Sequence, residues 1–406
     1  MAEMMDEVRP EMKVMLDEVK RIAQEHWLPY VDEFDALGGA QVKVRRQKEW
    51  LNFWNAFKDA GFFGFRIPKE YGGIGFGVGD FFMVVRDAGR YGLSGSFSNY
   101  FCCMQSNYLA PLYLEDEATR IKYYKKGLDG AIVGFAGTEP GCGNEYGAIK
   151  CTGVRQDDNY VLNGQKWFCG NVDTGPFGLN FTQVFVKTDP TKRLKGVSQF
   201  LVDNDNPGFV LGREGDPVGM RVFPRWEVSL KDCVVPVVNR VGKEGGGGYT
   251  NIKQMNEGYV GVAAQAVGIA LGCLDYTLDY TKNRVVFGSP ISDYQGIHYV
   301  LADMAVGCEA GDIMGYKAAL AHDADSPDAG KISVQAKLFT SDMVLDVTTK
   351  AMKIFAGRAY ERGEGHPIER LWRDSIMWQL LRTGNLDRRG VAQWALGKKL
   401  KAGFEY

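Results

Sequence analysis

The residues best equipped for chemistry are concentrated between 131 and 174. An apolar run, Ala131 to Ala136, reads as a buried strand, and Thr138-Glu139-Pro140-Gly141-Cys142-Gly143-Asn144-Glu145 follows it. Pro140 fixes one φ, while Gly141 and Gly143 let the backbone approach a ligand closely. A hydroxyl, an amide and free backbone N–H groups side by side suit the polar edge of a ring or a pyrophosphate. Two alternating segments, roughly 149–155 and 159–163, are expected to pair through the turn Asp157-Asp158-Asn159. A second tight turn is expected at Asn163-Gly164, leading into Lys166-Trp167-Phe168-Cys169-Gly170-Asn171. Aromatic rings beside small residues at a strand end form a stacking wall for a flat cofactor. Taken alone, the same stretch also reads as an ordinary β-hairpin module with an undirected loop.

The elements that must position this stretch follow from the rest of the chain. At 406 residues it is long enough for two or three domains. A formal charge of −2 argues against nucleic-acid binding and a polybasic membrane anchor. The reading finds no apolar run long enough to span a membrane. The N-terminus MAEMMDEVRPEMKVML is charged and amphipathic, without an apolar secretion core, so a cytoplasmic location is expected. None of the eight cysteines forms a C-x-x-C pair and only four histidines are present, so free thiols and no metal site are expected.

Residues 1–130 read as a helical domain. Met12, Val14, Met15, Val19, Ile22 and Ala23 recur at helical spacing, and Trp50, Phe53, Trp54 and Phe57 form an aromatic stripe best explained as helix core. The loop from Phe63 to Gly75 interrupts them, and helices follow at about 79–91, 95–109 and 116–127. Residues 131–241 are β-rich with Gly and Asp turns, as in a small barrel or sandwich. Gly242 to Tyr249 is a flexible exit, and residues 242–406 are helical again.

Several of these segments resemble the acyl-CoA dehydrogenase family. Thr138 to Glu145 resembles its TEPxAGSD loop, and Asn163 to Asn171 its NGxKxxI-T-N strand. Phe63 to Gly75 resembles GLxGxxxPExYGGxG, and Val228 to Pro236 resembles VxFxxVxVP. The resemblance implies an α+β fold with a helical N-terminal domain, a middle β-barrel and a C-terminal four-helix bundle, assembled as a homotetramer. It implies FAD as cofactor, held by Phe135, Gly137, Thr138, Gly143, Asn144, Phe168 and Gly170. Arg284, Phe287 and Gln295 match R-x-x-F-G…Q, which touches the FAD of a neighbouring subunit in the family. Lys353, Ala356 and Gly357 stand at QxxGG, with Lys for Gln and Ala for the first Gly. Thr383, Gly384 and Asn385 follow the family's base position and are assigned to the cofactor.

The departure from the pattern is at the base itself. The run after Arg373-Asp374 should reach YEGT, whose Glu removes the α-proton of the thioester, but Arg382 stands there. A guanidinium stays protonated and is no base near neutral pH. In some members the base sits on the first long helix of the last domain. That position is Gly258, and Glu257 precedes it by one residue, about 100° round an ideal helix. Glu257 is the relocated-base candidate. Asn256 and Tyr259 replace the family's charged contacts to CoA, and together with Asn144 they are the substrate-side candidates.

Three readings follow. The first is a working dehydrogenase using Glu257. The second, compatible with it, has Arg382 binding a second carboxylate of a dicarboxylic or aromatic acyl group such as benzylsuccinyl. The third is a catalytically silent subunit of a heteromeric enzyme. A flavin monooxygenase on the same fold is the other enzyme class. The resemblance also implies an electron-transfer flavoprotein as redox partner, and a thioester oxygen held by the flavin ribityl chain and the backbone N–H of residue 382.

Overall fold

The structure, a computed structural model, describes residues 9–363, 366–381 and 384–398. Helix α1 (Pro10–Ile22) buries Met12, Met15, Leu16, Val19 and Ile22, one stripe at helical spacing. Val14 lies about 200° round the helix from Met12 and faces solvent instead. Short helices α2 (Val31–Leu37) and α3 (Gly39–Arg45) lead to α4 (Gln47–Asp59). Trp50, Phe53, Trp54 and Phe57 of α4 are buried among Trp27, Phe97, Tyr100 and Phe101, in the expected aromatic core. Helices α5 (Val78–Gly92), α6 (Gly95–Leu112) and α7 (Glu117–Asp129) complete this layer. Ser94 caps α6 and Asp116 caps α7. Gly130, at φ 117°, ends α7 in a conformation that other residues rarely adopt.

The chain then becomes a sheet: β1 (Val133–Ala136), β2 (Thr152–Gln156), β3 (Asn159–Gly170), β4 (Phe181–Lys187), β5 (Val197–Asp203), β6 (Phe209–Glu214), β7 (Arg225–Pro236) and β8 (Arg240–Val241). Their order is β6-β7-β3-β1-β4-β5-β8, with β2 paired to both β3 and β4. The tight turn expected at Asn163-Gly164 is absent. Strand β3 runs straight through it, with a register shift against β7 between Leu162 and Gly164. Gly164 has φ 140°, and a Cβ there would lie 2.3 Å from the Cys151 sulfur. The glycine is therefore the bulge residue of a long strand, which sequence punctuation imitates as a turn.

Helix α8 (Gly247–Asn283) opens the last layer. The hairpin β9 (Val285–Val286) and β10 (Ser289–Pro290) follows, then α9 (Gln295–Asp323), α10 (Ala329–Phe355), α11 (Gly357–Tyr360), α12 (Ile368–Leu380) and α13 (Gly384–Ala395). Helix α8 is the hub of the molecule, packing on α5, α9 and α10. Contrary to the sequence reading, α8 is long and apolar enough to cross a membrane, but 83% of its most apolar window is buried inside the protein. Its small residues explain the close packing. A Cβ on Gly268 would lie 2.0 Å from the Arg86 carbonyl oxygen, and one on Gly89 would lie 3.0 Å from Gly268. Asp374 of α12 joins all three layers, because its carboxylate accepts the N–H of Gly95 at the start of α6 and the N–H of Met220.

Candidate active site

The loop after β1 is fixed by a buried charge pair. Lys166 on β3 is fully buried and donates to Glu139 Oε1 (2.8 Å) and to the Gly137 carbonyl (3.3 Å). Glu139 also accepts the N–H of Lys150 (2.7 Å) and of Cys151 (3.0 Å). Burial works to raise its proton affinity, but the Lys166 charge and these donors outweigh it and hold the Glu139 carboxyl below the usual range. Both residues belong to motifs visible in the sequence, yet their pairing was not anticipated.

With the loop held, the candidates at this end of the sheet come together. Thr138 accepts at its carbonyl from the Trp167 N–H (2.8 Å), and Phe135 is in register opposite Gly170. A Cβ on Gly137 would meet the Tyr146 hydroxyl at 2.3 Å, and one on Gly170 the Phe223 ring at 2.6 Å, so both positions must stay small. Phe168 projects from this end, exposed, at φ 56°. Gly143 is exposed and Asn144 half-buried on the neighbouring loop. Asn171, at the strand exit, turns its amide to the Cys103 sulfur of α6 (3.2 Å). Burial, the larger effect, pushes the Cys103 thiol up to about 12 despite that hydrogen bond, so it is a neutral wall.

Glu257 lies on α8 against the N-terminal layer. Its carboxylate is bound by Arg66, which also donates to the Phe76 carbonyl (2.7 Å) and sits over the Tyr108 ring. Asn256 is close enough to Gly330 that a Cβ there would meet its amide at 2.7 Å. Tyr259 is buried, and its hydroxyl bonds Asp387 Oδ1 of α13 (3.1 Å). Lys337 of α10, 1% exposed, donates to Asp387 Oδ2 (3.0 Å) and to the Leu381 carbonyl (2.9 Å). One lysine thus ties the end of α12 to α13. Arg382 and Thr383 lie outside the described residues, as does the side chain of Asn385.

Other candidates sit on separate elements. Arg284, Phe287 and Gln295 are exposed on the β9–β10 hairpin and at the start of α9, with Phe287 96% exposed. Lys353, Ala356 and Gly357 are exposed at the end of α10, where Ala356 adopts φ 53°, ψ −133°.

This arrangement matches known proteins along most of the chain. Models of the acyl-CoA dehydrogenase N-terminal, middle and C-terminal domains match residues 9–123, 134–233 and 245–384. An acyl-CoA dehydrogenase of Bacillus subtilis is 32% identical over 340 residues, covering 83% of this chain and 87% of the relative. The chain belongs to the acyl-CoA dehydrogenase family. Butyryl-CoA dehydrogenase from Megasphaera elsdenii superposes with a TM-score of 0.86 at 27% identity, covering 96% of this chain and 99% of the other. A glutaryl-CoA dehydrogenase in complex with glutaryl-CoA gives 0.85 at 26% identity, covering 98% and 99%.

Acyl-CoA dehydrogenases are FAD flavoproteins that oxidise a CH–CH bond of an acyl-CoA thioester. This end of the sheet fits a flavin. An exposed aromatic ring (Phe168) stands beside two glycines whose neighbours leave no room for a side chain, and beside a hydroxyl-bearing loop anchored by Lys166.

Proposed function

We propose that this acyl-CoA dehydrogenase acts on a thioester whose acyl group carries a second carboxylate, such as a succinyl, glutaryl or benzylsuccinyl group. The observation that carries the reading is the guanidinium of Arg382 in the place of the family's carboxylate base. A fixed cation beside an acyl group is costly unless paired, and a carboxylate matches its fork bidentately. The structural likeness to a glutaryl-CoA dehydrogenase supports a dicarboxylic acyl group. Lys337 serves this role indirectly by holding the Leu381 carbonyl, one residue before Arg382.

Glu257 takes the α-proton in this reading. Arg66 holds its carboxylate in place on α8. FAD, when bound, would supply the hydride acceptor, with an electron-transfer flavoprotein as redox partner. Thr138, Phe168 and Gly170 orient the ring, and Asn144, Asn256 and Tyr259 meet the CoA thioester. The enzyme works as a homotetramer in the cytoplasm, with Arg284, Phe287 and Gln295 reaching a neighbour's cofactor.

The test is anaerobic stopped-flow flavin reduction with butyryl-CoA and a succinyl-type CoA. Wild type is expected to bleach with the carboxylated substrate only. Arg382→Met should weaken that substrate by roughly 2–4 kcal/mol with FAD retained, and Glu257→Gln should stop bleaching. Ready reduction by butyryl-CoA, with Arg382→Met leaving the succinyl-type substrate unaffected, would overturn the carboxylate reading. No bleaching with any thioester would favour the silent subunit, and oxygen consumption by the reduced protein the monooxygenase.

A further inference from the structure

Helices α6 and α8 face one another across a seam whose two ends are defined by contacts. At one end the Cys102 thiol meets the Gln265 amide and lies 2.7 Å from where a Cβ of Gly261 would stand. At the other end Tyr108 lies under Arg66, which holds Glu257. Gln105 is one turn from Cys102 and one turn from Tyr108, so it lies opposite the stretch between Glu257 and Gly261. Among the described residues the seam is open there: a Cβ on Gly258 would find only the tip of Met255, at 3.7 Å. Next to it, Asn99, Cys102, Cys103 and Ser106 form a half-exposed face of α6 among buried neighbours.

Among the described residues, the amides of this seam are not fully paired. Gln105 is 3% exposed, and neither its Nε2 nor its Oε1 has a partner among the described residues. The Oε1 of Gln265, whose amide meets Cys102, is also buried and unpaired among the described residues. Buried amides are normally hydrogen-bonded, because an unmade bond costs the group its solvation. Two of them on facing helices, beside a glycine that opens space, describe a subsite with both donors and acceptors.

We propose that this seam receives the acyl group and reads an uncharged hydrogen-bonding function on it, a hydroxyl or a carboxamide, with Gln105 as the specificity-determining residue. The inference rests on the chain binding an acyl-CoA but not on where its proton goes. A carboxylate only accepts, so it would leave the Gln105 and Gln265 oxygens unpaired. The guanidinium of Arg66, at the Tyr108 end of the seam, is already committed to Glu257 and Phe76. A carboxylate therefore suits a guanidinium fork and not the amides of this seam.

Three five-carbon thioesters separate the cases: valeryl-CoA, 5-hydroxyvaleryl-CoA and glutaryl-CoA, titrated calorimetrically into the FAD-loaded protein. Wild type should bind the hydroxylated thioester at least about tenfold tighter than valeryl-CoA, the worth of one well-made hydrogen bond. Gln105→Met should abolish that preference while leaving the response to glutaryl-CoA in place. It should also raise the melting temperature of the protein without thioester, because it removes an unpaired buried amide. A residue kept only for packing, or bonded to water alone, would give a lower melting temperature and an unchanged preference. That result overturns the inference, as does equal wild-type affinity for valeryl and 5-hydroxyvaleryl thioesters. Flavin bleaching recorded on the same samples keeps the two readings apart. A binding preference without bleaching sinks the proposed reaction and leaves the subsite standing, and bleaching without preference does the reverse.

Discussion

Asp374 is buried and receives two backbone N–H groups, from Gly95 and Met220. Burial, and next the nearby Asp35 charge, push its carboxyl up to about 6 in spite of those donors. The folded protein therefore holds this proton more tightly than the unfolded chain does. The stability it contributes is complete below about pH 4 and is lost as pH rises through 6, roughly 3 kcal/mol in all. Melting temperatures of wild type and Asp374→Asn should differ in slope over this window, the variant being flatter. Its amide NH2 would also face one of the two backbone donors, so Asp374→Asn should be less stable by about 1–3 kcal/mol at neutral pH. Lys166 is the counterpart case. Lys166→Met leaves Glu139 buried without its cation and should cost about 3–5 kcal/mol, measured by denaturant unfolding. FAD content should fall with it, since that pair fixes the loop carrying Thr138.

Among the elements, the connection from α12 to α13 depends on Lys337, which holds Leu381 and Asp387 together. Lys337→Met alone should destabilise by about 3–5 kcal/mol by stranding Asp387, and Lys337→Met with Asp387→Leu should recover most of it. A double-mutant cycle in urea measures this directly. The turn from α10 to α11 predicts the opposite sign. Ala356 has φ 53°, ψ −133°, a combination that glycine dominates. Ala356→Gly should therefore stabilise by about 1 kcal/mol, seen as a rise in melting temperature.

Element types were readable because periodicity and turn residues are local signals. The stripes of α1 and α4 and the alternation of the β-rich segments needed only short windows of sequence. What escaped was of two kinds. Gly164 carries the same letters in a bulge as in a turn, and only the partner strand distinguishes them. The ion pairs that hold the site join residues 27, 50 and 191 positions apart, Lys166–Glu139, Lys337–Asp387 and Arg66–Glu257. Nothing in local composition encodes such pairings. The resemblance supplied Glu257 as an acidic candidate, but not the arginine bound to it.

For the whole molecule, the surface of α9 carries Tyr299, Val306, Ile313 and Leu320, all exposed and spaced by seven. Phe287 stands out on the adjoining hairpin. An apolar line of this length on a helix is normally covered by another chain. Light scattering should give a homotetramer, or at least a dimer, and Val306→Glu with Ile313→Glu should reduce it to smaller species. A monodisperse wild-type monomer replete with FAD would contradict this.

The crossing of Gly89 and Gly268 also bears on how the protein is made. The face that α5 offers to α8, Phe81, Val85 and Ala88 among it, is finished early, while its cover lies some 180 residues further along. At ordinary ribosome speeds the two are born roughly 10–35 s apart. During that interval the aromatic-rich first layer is a nascent domain without its lid. Synthesis of this protein should therefore lean on holdase chaperones, and ribosome-bound chains stopped before residue 268 should be far more protease-sensitive than chains stopped after α8 has emerged.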